Sequence, residues 1–419
     1  MPAKDRILVF LPDNGQDYCG LFFCLMLSIF SCRKFLQNAA VFSGIPLLEY
    51  SVFLYYALVL FVFYKSLPEI RKRLNKLDAF LFLFLSLSFI SSVLFYDSDP
   101  VLKADIFRRY FAVCCLSYFS ARALELTEKN IKYMRLFAYL IMTNELIQLF
   151  VFRLYPFSHN TAFLMLGRTM LTIFILLIMS IVRDLRASDC IVWILALFII
   201  IASGSRVAFI IILATTAVAI LYGSRSKRAI AMLFSVYLGA VAVFFAWKDK
   251  ILATLYELYF TMGFSCKFFI LSARDNFINN RTAEKRRIIW HWCSDFISNH
   301  IFAGSGIINE RFFINDVVPF RTGVPGAYPH NFFLEICTQF GLIPGMLILL
   351  AGAIVLIGSF VRSHSYVDRL FIIILLMTSL GGLMISSSYI QDALFYTFAG
   401  FLIQIYSKKS DGYKHCRTY

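Results

Sequence analysis

"MLILLAGAIVLIGSF" (Met346–Phe360) contains no charged residue, and with its neighbours it forms an apolar run from 342 to 361. A helix needs about 20 predominantly apolar residues to cross a bilayer core, so this run predicts a membrane span. Similar runs fall near 19–38, 46–65, 79–96, 107–125, 134–154, 162–182, 190–204, 206–222, 229–247, 369–388 and 391–407. Arg33 and Lys34 interrupt the first, and almost no loop separates the two that flank Ser205. The expected fold is an all-α polytopic membrane protein of about twelve transmembrane helices.

Composition agrees with this. Of 419 residues 60% are hydrophobic, 17% aromatic and only 16% charged, far from the averages of soluble domains. The N-terminal "MPAKDRILVFLPDNGQDY" is cut by Pro12 and Asp13 and has no small-residue cleavage pattern, so the first span is expected to stay as an anchor. The net charge of +15 gathers in short loops between apolar runs, as the positive-inside rule requires, and does not indicate a nucleic-acid partner. "KSLPEIRKRLNKLD" (Lys65–Asp78), "GSRSKR" (Gly223–Arg228) and the tail 408–419 are accordingly expected in the cytoplasm, with both termini.

Alternating the spans from there divides the chain into 1–247 with nine spans, an external loop 248–341, three spans over 342–407 and the tail. Within the loop, Ile289, Trp292, Cys293, Phe296 and Ile297 recur at helical spacing, so amphipathic helices near the membrane surface are expected. Loops longer than about 15 residues tend to carry function. The cysteines show no C-x-x-C pair and no metal spacing; Cys266, Cys293 and Cys337 share the loop and allow at most one bridge. His291 and His300 lack metal-ligand spacing, and "DSDP" (Asp97–Pro100) reads as a solvated turn or a weak cation site.

Three constellations could carry chemistry. Arg206 follows a small-residue turn in "IIASGSRVAFII" and either reaches the outer headgroups or anchors a phosphate. "NNRTAEKRRIIW" places Arg281, Lys285, Arg286 and Arg287 in the external loop, either as a solvated face or as the contact for an anionic ligand. "PHNFFLEICTQFGLIPG" (Pro329–Gly345) reads as a short helix capped by Asn331, with Phe332, Ile336 and Phe340 on one stripe and Glu335, Thr338 and Gln339 facing away. Gly341 ends it and Pro344 suits the first turn of the next helix. His330 lies just outside the helix N-terminus, whose dipole disfavours imidazolium. A neutral imidazole there can act as a base beside an anion.

Together these segments resemble the O-antigen ligase and polymerase superfamily of membrane glycosyltransferases. The resemblance is carried by "SGSR" opening a span, Arg286 to Trp290 as R-x-x-x-W, Gly304 and Gly306 as G-x-G, then His330, Asn331, Leu334 and Glu335, and last Gly341, Leu342 and Gly345. It covers 203–345 well, and "SHNTAFLML" (Ser158–Leu166) looks like the family's short external N-T turn. Ligases of this kind often carry a second histidine two positions before the one at 330; here it is Tyr328, which favours polymerase.

The resemblance implies a periplasmic loop domain over an amphipathic cavity in a bacterial inner-membrane protein. The implied donor and acceptor are undecaprenyl-diphosphate-linked glycans, with no cofactor, no metal and a chain-length regulator as a further partner. In that scheme His330 is the catalytic base, Arg206 and Arg286 bind the donor diphosphate, and Asn331, Arg287 and Arg281 help position it. The expected reaction inverts the anomeric carbon and releases the lipid diphosphate. Ligation of the glycan to lipid A core is the alternative. A flippase is the rival from another class, but transporters usually show internal repeats and midplane sites.

Overall fold

A computed structural model of the protein describes residues 11–95, 100–152, 160–184, 186–203, 205–223, 246–261, 281–317, 328–363, 365–384 and 387–408, with isolated positions between 231 and 242. Among them there is no strand. The helices are α1 Gly15–Ser43, α2 Ser51–Arg73, α3 Lys76–Phe95, α4 Pro100–Arg109, α5 Leu116–Arg122, α6 Glu128–Phe150, α7 Asn160–Arg183, α8 Ala187–Ser203 and α9 Arg206–Gly223. They continue as α10 Lys248–Thr261, α11 Arg281–Asn299, α12 Glu310–Val317, α13 Phe332–Phe340, α14 Leu342–Arg362, α15 Tyr366–Leu383 and α16 Ala393–Ser407.

Ten of the expected spans each fall on one of these helices, 107–125 falls across α4 and α5, and 229–247 lies largely outside the described residues. By length and composition, Gly15–Ser43, Leu48–Arg73, Leu166–Arg183, Leu342–Arg362 and Tyr366–Leu383 can each cross a membrane. Arg33 and Lys34 do not break α1, which runs unbroken from its Asn14 cap to Gly44. The expected span 107–125 is not one regular helix, because a π-helical turn, Tyr110–Cys115, joins α4 to α5.

The bundle is built around α7. In its apolar window 72% of residues are buried, against 11% in α14, so α7 is central and α14 presents its apolar surface outward. Phe174, Ile178, Met134, Phe371 and Phe401 meet in the main core. Polar contacts sort the helix ends. Asn75 donates to Ser407 at 2.7 Å, Arg122 pairs with Asp78 at 2.9 Å, and Arg135 pairs with Asp189 at 3.2 Å. At the other end of α7, Arg168 pairs with Asp392 at 2.9 Å, and Gly167 faces the Ser205 side chain. The basic turn before α3 therefore shares one end with the close of α16, as the alternation of spans requires.

The candidate active site

α11 and α13 are tied together by one tryptophan. On α11, Ile289, Cys293 and Ile297 are buried, and Trp292 and Leu334 each pack on the cluster that Ile289 and Cys293 form with Ile314. This is the apolar face expected from spacing. One turn after Arg286, Trp290 donates from Nε1 to the carbonyl of Pro329 at 2.8 Å. The R-x-x-x-W spacing thus has a physical reason: residues four apart share a helix face, so the bond that anchors Trp290 to the Pro329 turn brings Arg286 beside His330.

α13 is fixed at both ends. Asn331 accepts from the N–H groups of Phe333 and Leu334 at 3.0 and 3.3 Å, as an N-cap does. At the far end, Ser305 and Gly306 donate from their backbone N–H groups to the carbonyls of Thr338 and Gln339, each at 2.9 Å. The approach is so close that a Cβ on Gly304 would strike those carbonyls, which is why the G-x-G segment requires glycine. Gly341 closes the helix at φ 92, a backbone conformation open mainly to glycine.

His330 itself sits at φ 53. Its half-buried imidazole lies 4.1 Å from the Tyr328 ring, and Nδ1 has no hydrogen-bond partner among the described residues. Burial first, then the positive charges of Arg286 and Arg311, push its pKa down to about 4. Burial and the two arginines thus both hold the imidazole in its neutral form at pH 7.

Glu335, Thr338 and Gln339, expected to face away from the apolar stripe, do not reach water. All three are buried, in a polar cluster that α13 shares with α12 and with the turn before α16. Ser388 donates to Glu335, Arg311 donates from Nη2 to Ser388 at 2.9 Å, and Tyr389 donates to Gln339 at 2.5 Å. Arg311 Nε lies 3.6 Å from Glu310. Burial raises the pKa of both Glu310 and Glu335, so two carboxyls around one guanidinium favour keeping a proton.

Of the residues expected at the site, the structure brings Arg286, His330 and Asn331 together. Arg287 is exposed. Arg206 opens α9 and Arg281 opens α11, but both side chains lie outside the described atoms. Ser205 packs on Gly167, whose neighbour Arg168 acts on Tyr328 through its charge, so contacts lead from the Arg206 turn toward the His330 turn. Sequence reasoning missed Arg311 and Arg168. For Arg311 the signal was a charged pair inside the apolar run "IINERFFI".

Cys293 and Cys337 are buried free thiols, and Cys266 lies outside the described residues, as does Asp97–Asp99 of the "DSDP" turn. No cluster with metal-binding composition occurs among the described residues. No curated protein and no solved structure matches the chain. Residues 191–350, which hold Arg206, Arg286, Arg311 and His330, match the family model described as O-antigen ligase, and this places that stretch of the chain in the O-antigen ligase and polymerase superfamily.

Proposed function

We propose that the protein is an O-antigen polymerase, joining undecaprenyl-diphosphate-linked repeat units at the outer face of the bacterial inner membrane. The carrying observation is a neutral imidazole, His330, held beside Arg286 and Arg311 within the family-matched segment. An acceptor hydroxyl attacks the anomeric carbon, the C–O bond to the lipid diphosphate breaks, and charge grows on the departing phosphate oxygens. Arg286, with Arg206, stabilises that charge. His330 takes the acceptor proton, a contribution worth roughly 10²- to 10⁴-fold in rate. A diphosphate leaves without protonation, so no acid is needed opposite the base, and direct displacement inverts the anomeric centre.

Ligation to lipid A core uses the same donor machinery. Tyr328, where comparable ligases carry a second histidine, favours polymerase. A flippase fits less well, because transporters usually carry internal repeats and midplane sites, whereas His330, Arg286 and Arg311 all belong to the long loop between apolar runs.

A deletion strain tests the reading. Lipopolysaccharide core carrying a single repeat unit is expected; bare core with accumulated lipid-linked polymer would mean ligase, and an unchanged ladder would overturn both. Complementation with His330→Ala should fail to restore the ladder. With purified protein, Arg206→Ala and Arg286→Ala should each slow turnover of the lipid-linked donor; near-normal rates in both would remove the diphosphate role.

A further inference from the structure

Arg311 is buried, with its side chain 3% exposed, and it occupies the centre of the polar cluster behind the His330 turn. Two of its three contacts come from other elements. Glu310 precedes it on α12, Ser388 comes from the turn before α16, and the Tyr328 ring stands with its centroid 5.4 Å from the guanidinium carbon. That distance is within the range of a cation–π contact. The same Tyr328 ring touches His330 at 4.1 Å. A fixed planar cation thus supports one face of an aromatic ring, and that ring supports the imidazole.

The backbone around the cluster is strained in the same places. Ile308 at φ 79 and His330 at φ 53 are the non-glycine residues with positive φ among those described. One leads into Glu310–Arg311 and the other is the imidazole itself. Strained conformations persist only where surrounding contacts over-determine them, and the Arg311 contacts bridge these two.

We propose that Arg311 is a positioning residue of this site: anchored by its hydrogen bond to Ser388, with the Glu310 carboxyl beside it, it holds the Tyr328–His330 turn in place and puts a permanent positive charge behind the imidazole. This rests on the reading of His330 as the base. Arg311 reaches the reaction through Tyr328 and His330 and is not assigned a contact with substrate. The charged and titratable groups around the turn are Arg286 on α11, Glu310 and Arg311 on α12, Tyr328 and Glu335 beside His330, Arg168 on α7 and Asp392 before α16. Removing the Arg311 charge makes imidazolium easier to form, and because burial pushes Glu310 toward its protonated form, its exchange for glutamine takes away little compensating negative charge.

The test uses full-length protein in lipid nanodiscs. Arg311→Met alone would leave two buried carboxyls, Glu310 and Glu335, without a counter-charge, so the informative variants are Arg311→Lys and the neutral pair Glu310→Gln/Arg311→Met, in which only Glu335 remains and burial favours its protonated form. Arg311→Lys keeps the charge but loses the flat face against Tyr328. It should lower kcat roughly 10- to 100-fold through misplacement, with KM for the lipid-linked donor little changed and the acid limb of kcat/KM where it was. The neutral pair should move that acid limb upward by about one pH unit.

A readout independent of turnover is the pH dependence of diethyl pyrocarbonate modification at His330, mapped by peptide mass. Its midpoint should rise by about one unit in the neutral pair and stay in place in Arg311→Lys. Wild-type kcat in Arg311→Lys, or an unmoved midpoint in a folded neutral pair, would overturn the proposal. If the wild type shows no turnover while the midpoint shifts as stated, the functional reading fails and the positioning role of Arg311 stands.

Discussion

His330 occupies a left-handed backbone conformation, which histidine adopts more readily than most side chains but still at a cost of order 1–2 kcal/mol. It is imposed from both sides: Trp290 holds the carbonyl of Pro329, and Asn331 caps the helix that follows. Exchange for a residue that tolerates positive φ should therefore separate folding from chemistry. His330→Asn is expected to keep or slightly raise the thermal midpoint in detergent while abolishing polymer formation; a large drop in the midpoint would mean the imidazole is a structural element. The pH profile carries a second prediction. The active form is the neutral one and its pKa is pushed down to about 4, so kcat/KM should be flat from pH 8 to 6. It should fall tenfold per unit only below about pH 4. Bound diphosphate stabilises imidazolium, so the acid limb of kcat should lie above that of kcat/KM. A kcat/KM limb near 6.5 would show that burial and the arginines do not act on the free enzyme.

At the scale of elements, α13 is only nine residues long, and helices that short hold together through their ends and their packing rather than by propensity. Asn331→Ala should cost about 1 kcal/mol through loss of the cap, and Asn331→Ser should recover most of that. Gly341→Ala should cost more, because it forces a side chain onto φ 92 and brings a Cβ to 2.8 Å from the backbone nitrogen of Ala303. Unfolding in detergent ranks the three, and equal stability of Gly341→Ala and wild type would contradict the close packing. Much of this was legible in advance. The cap, the terminating glycine and the apolar face of α11 follow from short-range rules that a sequence displays directly. The polar cluster was not legible, because its partners are far apart in the chain: Ser388 lies 77 residues beyond Arg311 and 53 beyond Glu335. Glu335 read only as a position off the apolar stripe of α13 for that reason, and the π turn at Tyr110–Cys115 left no mark in hydropathy.

For the whole molecule, hydropathy located the helices because each span is a local composition, while their arrangement depends on contacts between ends. Those contacts give a sharp expectation for the membrane. The Asn75–Ser407, Asp78–Arg122 and Arg362–Tyr406 pairs lie at one end. The His330 turn, Ser388 and the Arg168–Asp392 pair lie at the other. Basic residues are retained on the cytoplasmic side during insertion, and "KSLPEIRKRLNKLD" belongs to the first end, so the site should face the periplasm. Alkaline phosphatase fused after Asn299 should then be active, and a fluorescent protein fused after Lys408 should fold and emit. The reverse pattern would put His330 and Arg286 on the cytoplasmic side, where they could not meet a lipid-linked glycan presented at the outer face, and the polymerase reading would fall with the topology.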